Sequence, residues 1–136
     1  MRARLPLPLA ALLALGCGGS RLATVSGKIT LDKRPLANAR ITFQPVEGMN
    51  PGVGSFAVAD ANGEYTLKPI DGKGKGAVVG KHRVEVFLVK EGTNSRPEDD
   101  RQRPVNLVPP QYNQNSKLTF EVKPGDNRAD WNLTSR

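Results

Sequence analysis

The chain has 136 residues, one cysteine and a formal charge of +7, from 20 Lys and Arg against 13 Asp and Glu. A lone cysteine excludes an internal disulfide, so a single domain of this length must be held by its own apolar core. The basic excess is spread along the chain and densest at Lys73, Lys75, Lys81 and Arg83, without the concentrated patch or motif that nucleic-acid binding needs.

The chain starts with Arg2-Ala3-Arg4 and an apolar run from Leu5 to Leu15. That run is shorter than the roughly 20 residues a bilayer-spanning helix requires, and Pro6 and Pro8 weaken any helix at its start. A basic start, a short apolar core and small residues around Cys17 form a secretory signal. The segment resembles a bacterial lipobox, in which Leu, a small residue and Gly or Ala precede the cysteine. Gly16 and Cys17 follow that pattern, whereas Ala14 stands where Leu is usual and Leu15 where a small residue is usual. The resemblance implies residues 1–16 as a lipoprotein signal peptide and Cys17 as the acylated mature N-terminus, carrying palmitate-type chains. The other reading is an ordinary cleaved signal, with Cys17 lost or left as a free thiol. Residues 17–22, with Gly18-Gly19-Ser20, read as a flexible tether, and 23–136 as one domain. Removing Arg2 and Arg4 from the 20 basic residues leaves 18 against 13 acidic ones, a charge of +5.

From Thr24 onward the pattern has a period of two, as half-buried strands do. Val25, Ile29 and Leu31 share one face, and Thr24, Ser26, Lys28 and Thr30 the other. Asp32-Lys33-Arg34-Pro35 turns the chain, and Arg40 to Gln44 alternates again with Ile41 and Phe43 inward. Residues 45–54 form a Gly/Pro-rich loop. Ser55–Ala59 and Glu64–Leu67, joined by Asp60-Ala61-Asn62-Gly63, read as a hairpin with Phe56, Val58, Tyr65 and Leu67 on one face. Residues 71–76 form a Gly/Lys loop. Val78 to Lys90 reads as a central strand, with His82, Val84, Val86 and Leu88 on one face. Residues 91–116 are polar and irregular. A last hairpin pairs Leu118–Val122 with Ala129–Leu133 about the turn Pro124-Gly125-Asp126-Asn127, with Phe120, Val122, Trp131 and Leu133 inward. About seven short strands without a sustained helical period define an all-β antiparallel β-sandwich.

The run Val25-Ser26-Gly27-Lys28-Ile29, its turn, and Pro35-Leu36-Ala37-Asn38-Ala39 resemble the opening of a carboxypeptidase regulatory-like domain. Asp60-Ala61-Asn62-Gly63-Glu64-Tyr65 resembles that family's second signature, with Ala59 in place of the usual Thr; Lys33 replaces a frequent Gly in the first turn. Tyr112-Asn113 and the closing hairpin resemble the ending of small bacterial lipoproteins built from one such domain. The resemblance implies a transthyretin-like (prealbumin-like) sandwich. Its signature residues serve folding and carry no chemistry.

Candidate chemistry is sparse. His82 is the chain's one histidine and reads as a residue at the sandwich rim, without the partners catalysis needs. Glu98-Asp99-Asp100 lacks the alternating oxygen ligands and turn glycine of a calcium loop, and Arg96, Arg101 and Arg103 flank it. The hairpin turn accounts for Asp60, Asn62 and Glu64 without a metal. No serine sits in a nucleophile elbow, and Gly72-Lys73-Gly74-Lys75-Gly76 lacks phosphate-loop spacing. Trp131 alternates with Ala129 and Leu133 and reads as core. The expectation is a noncatalytic envelope lipoprotein without cofactor or metal, whose sandwich binds or scaffolds an envelope protein or glycan. It would be exported and tied by lipid to the cell membrane or outer membrane, with the domain in the periplasm or outside. One alternative is a carbohydrate-binding module using Tyr112. Another is an enzyme joining His82 to acidic residues. Residues 45–54 and 91–116 are the expected places for partner contact.

Overall fold

The computed structural model describes residues 21–47, 52–90 and 105–136. Cys17 and the Glu98-Asp99-Asp100 triplet lie outside the described residues. In chain order the strands are β1 (Leu22–Leu31), β2 (Arg34–Pro35), β3 (Arg40–Pro45), β4 (Ser55–Val58), β5 (Glu64–Thr66), β6 (Lys68–Pro69), β7 (Ala77–Val78), β8 (Gly80–Phe87), β9 (Val89–Lys90), β10 (Val105–Asn106), β11 (Leu118–Val122), β12 (Asp126–Arg128) and β13 (Trp131–Leu133). Among the described residues one 3-10 turn, Pro110–Tyr112, interrupts them. No helix among the described residues is long and apolar enough to cross a membrane.

Strand β1 is the spine of one sheet. It pairs antiparallel with β7, β5 and β2 in turn, and parallel with β12 and β13 on its other side. The second sheet runs β11-β8-β3-β4-β6, antiparallel throughout. β9 and β10 form a small separate ribbon. The two sheets face each other over Val25 and Ile29 from one side and Ile41, Phe43, Val84, Val86 and Val122 from the other, all essentially buried. Each such side chain contributes about 1.5–3 kcal/mol through its removal from water. The expected all-β antiparallel sandwich is present, with β1 and the final strand as the parallel exception. Strand β1 starts at Leu22, inside the segment read as tether.

Both expected hairpins are instead crossings between the sheets. The Asp60–Gly63 turn forms: Gly63 N–H donates to the Asp60 carbonyl at 3.0 Å, and the Asp60 carboxylate accepts from the N–H groups of Asn62 and Glu64. Its two arms part company. β4 pairs with β3 and β6, whereas β5 pairs with β1. The turn docks by its backbone, for Ile29 N–H donates to the Gly63 carbonyl at 2.8 Å. A Cβ at Gly63 would lie 2.5 Å from the Ile29 carbonyl oxygen. In the same way β11 pairs with β8, while β12 and β13 cross to β1.

The crossing reverses the expected faces of β4. Ser55, Ala57 and Ala59 point inward, and Val58 is 57% exposed. Phe56 packs on the outer face beneath the Arg40 guanidinium, 4.6 Å from its ring centroid, with the Lys68 ammonium at 5.2 Å. Both faces of this strand carry apolar residues, so alternation left its phase undetermined. Packing settles it by placing small side chains inward, where the Ser55 hydroxyl donates to the Gly76 carbonyl at 3.0 Å.

Candidate functional site

His82 is wholly buried rather than at the rim. Strand register sets it between Pro45 of β3 and Phe120 of β11, and the Phe43 ring lies 5.7 Å away. Nδ1 contacts the Gly80 carbonyl at 3.0 Å, and Nε2 has no hydrogen-bond partner among the described residues. Burial holds its pKa below the ordinary histidine value, against smaller opposing effects of the Gly80 carbonyl and Glu121. An imidazole in this setting is a neutral core group with no carboxylate hydrogen bond to orient it as a base. Among the described residues no group of three or more His, Cys, Asp or Glu side chains could hold a metal ion.

Trp131 lies in an aromatic cluster between the sheets. Its ring centroid is 6.4 Å from Phe43 and 6.3 Å from Phe120, each pair edge to face. Its indole N–H donates to the Tyr65 hydroxyl at 3.1 Å, and that hydroxyl donates to the Ala129 carbonyl at 2.5 Å. The chain of bonds depends on Gly27, where a Cβ would stand 1.7 Å from the Ala129 oxygen. With that space open, the carbonyl points to Tyr65, and the Asp130 carboxylate accepts the Lys28 N–H at 2.9 Å. Burial pushes the Tyr65 phenol well above the ordinary tyrosine range, so it stays a donor. This latch ties β5, β1 and the final strand together; it is structural.

Tyr112 is held at the opposite end of the sandwich from Leu22. Its neighbour Asn113 is buried and donates through its amide to the carbonyls of Val86, Val108 and Pro109. Ser116 donates to the Val84 carbonyl, and the Arg83 Nε donates to the Ser116 carbonyl at 3.2 Å. These bonds fix the end of the expected 91–116 loop against β8. The half-buried Tyr112 places its hydroxyl 3.1 Å from the Thr134 N–H, which donates to it. The Thr134 hydroxyl, at 3.3 Å, is a second partner. Both contacts lower the pKa of the phenol from its ordinary value.

Next to Tyr112 is an open cleft lined by Thr30, Asp32, Lys33, Asn132, Leu133 and Thr134. Thr30 donates to the Asn132 side-chain oxygen at 3.0 Å, and Asp32 accepts from the Ser135 N–H and hydroxyl at 2.9 and 2.6 Å. Those Ser135 bonds hold the Asp32 carboxyl below the ordinary carboxylate range. Sequence reading missed this cleft, because its residues come from the two ends of the chain. The parallel register Thr30↔Asn132 brings them side by side. The only local signal was the polar outward position of Thr30 in an alternating strand.

These features define an all-β sandwich with a buried histidine, a buried tyrosine latch and an open cleft of mixed apolar and polar lining at the end away from Leu22. No family model matches the chain, and no curated protein matches it. Two solved structures are similar to it in outline. One is a 9R-lipoxygenase from Cyanothece PCC8801, at 16% identity and a TM-score of 0.44, over 83% of this chain and 16% of that one. The other is a DUF3823 family protein from Parabacteroides merdae ATCC 43184, at 12% identity and a TM-score of 0.42, over 84% of this chain and 46% of that one. This chain thus spans a minor part of each, and at these scores neither contributes to a reading of function.

Proposed function

We propose that the chain is a noncatalytic cell-envelope lipoprotein whose carboxypeptidase regulatory-like, transthyretin-like sandwich is a binding or scaffolding module. The observation that carries this reading is the position of Cys17. It follows a basic start and a short apolar run, and it precedes the first residue of β1, Leu22, by five positions. The buried, singly bonded His82 supports a role other than catalysis. Acylation at Cys17 would place the domain outside the cytoplasm, on the cell membrane or outer membrane. Mass spectrometry of the mature N-terminal peptide tests the anchor. The expected peptide starts at Cys17 and carries acyl chains; a free Cys17 thiol, or cleavage beyond it, overturns the anchoring.

The cleft beside Tyr112 favours a second reading, a carbohydrate-binding module. Asp32, Lys33, Asn132 and Thr30 offer donors and acceptors to hydroxyl groups, and Tyr112 supplies a partly exposed ring at the margin. Glycan-array binding that Tyr112→Ala and Asn132→Ala both abolish would favour it. An array without signal for the unsubstituted chain returns the module to a protein partner.

A further inference from the structure

One end of the sandwich gathers apolar side chains that stand exposed among the described residues. Leu22 is 40% exposed, Val53 41% and Ile70 55%, against the wholly buried interior a few residues away. They come from three separate segments. Leu22 opens β1, Val53 precedes β4, and Ile70 follows β6, its N–H donating to the Gly54 carbonyl at 2.9 Å. Leu22 and Val53 line one open cleft with Pro69, Asp71, Lys73 and Val78. The 72–76 loop lies against Leu22 closely enough that a Cβ at Gly74 would stand 2.6 Å from its Cδ1. Within 21–22, 52–54 and 69–78 the charged residues are Arg21, Lys73 and Lys75 against Asp71 alone. An apolar cluster edged by basic side chains is complementary to a bilayer surface with anionic headgroups.

The chain itself selects that occupant. Cys17 and Leu22 are five residues apart, and an extended chain covers at most ~3.6 Å per residue, so about 18 Å separates the two at full stretch. An acylated Cys17 therefore holds this end of the domain within that distance of the headgroups. The Tyr112 end is turned away, because β1 runs the length of the sandwich between them. We propose that the Leu22–Val53–Ile70 end is a membrane-contacting face, seated on anionic lipid by its apolar residues and by Arg21, Lys73 and Lys75. This rests on the lipid anchoring proposed above and adds an orientation to it.

The test uses the processed full chain in vesicles of phosphatidylethanolamine and phosphatidylglycerol that carry a spin-labelled lipid. An environment-sensitive fluorophore is attached in turn at Val53→Cys, Ile70→Cys and, at the far end, Asn62→Cys. The expected result is strong quenching at 53 and 70 and little at 62. Equal quenching at the three positions, or quenching at 62 alone, overturns the proposal. Mass spectrometry of the same preparations reads Cys17. Should Cys17 prove unacylated, the anchoring reading fails by itself. The labels are then read on the Cys17→Ser chain added to the same vesicles, where quenching confined to 53 and 70 supports the face and no quenching overturns it. In that form Lys73→Gln with Lys75→Gln should weaken vesicle partition on the order of tenfold. An unchanged partition removes the basic residues from the proposal.

Discussion

Gly27 is the residue on which most of the closing geometry depends. It sits opposite Tyr65 in the β1–β5 register, and the Ala129 carbonyl occupies the space a side chain would fill. Gly27→Ala should destabilise the fold by about 3 kcal/mol or more, since the obstruction is backbone and cannot rotate away. Urea denaturation monitored by Trp131 fluorescence would measure it. Tyr65→Phe is a gentler probe of the same latch. It leaves the Ala129 carbonyl and the Trp131 N–H without their partner and should cost about 1–3 kcal/mol. His82 gives a pH signature. Its folded-state pKa lies below the ordinary value of 6.5, so the unfolded chain binds the proton more readily. The contribution of the neutral imidazole is complete above pH 6.5 and is lost as pH falls from there toward the lower folded value. Melting temperature followed from pH 8 to pH 5 should therefore decline at the acid end. In His82→Gln, which retains an N–H donor for the Gly80 carbonyl, the decline should be shallower. Equal slopes in the two proteins would remove His82 as the cause.

At the scale of elements, the first turn and the two crossings carry the lesson. Asp32 and Lys33 both adopt positive φ, 50° and 69°, as a two-residue hairpin loop between β1 and β2 requires. A left-handed Lys is strained where a glycine is not, so Lys33→Gly should stabilise the protein by about 1 kcal/mol; thermal unfolding would register it as a rise in Tm. The turn itself was legible from the break in alternation after Leu31. The crossings were less legible. Asn62-Gly63 and Pro124-Gly125 announce turns, but a turn signal says that the chain reverses and leaves open which strand each arm joins. That choice belongs to nonlocal pairing: β5 and the final strand both bond to β1, on opposite sides of it.

On the scale of the whole molecule, β1 is paired along both sides by strands from the middle and the end of the chain. Opening it requires parting the latch, the final strand and the apolar interior together. Its buried-sheet amides, such as those of Ile29 and Gly27, should exchange hydrogen only through global unfolding. Those of the β9–β10 ribbon, where Val89 and Val105 are more than half exposed, should exchange orders of magnitude faster. Hydrogen exchange read by NMR would rank them, and comparable rates in β1 and β9 would contradict this account.

Sequence by itself determined the fold class and most of its interior. Period-two alternation is a local property, so Val25, Ile29, Ile41, Phe43, Val84, Val86 and Val122 could be assigned to one face before any pairing was known, and all are buried. The proposed anchoring at Cys17 likewise rests on a local order of charge, apolar run and small residues. Tertiary structure alone decided where His82 sits, because the strands carrying Pro45 and Phe120 cover it. It decided the phase of β4, where both faces are apolar and the available volume makes the choice. It also created the cleft of Thr30, Asp32 and Asn132, and the exposed end of Leu22, Val53 and Ile70. Each joins segments separated in sequence: the β1–β13 register assembles the cleft, and the β1–β7 and β4–β6 pairings together assemble the apolar end.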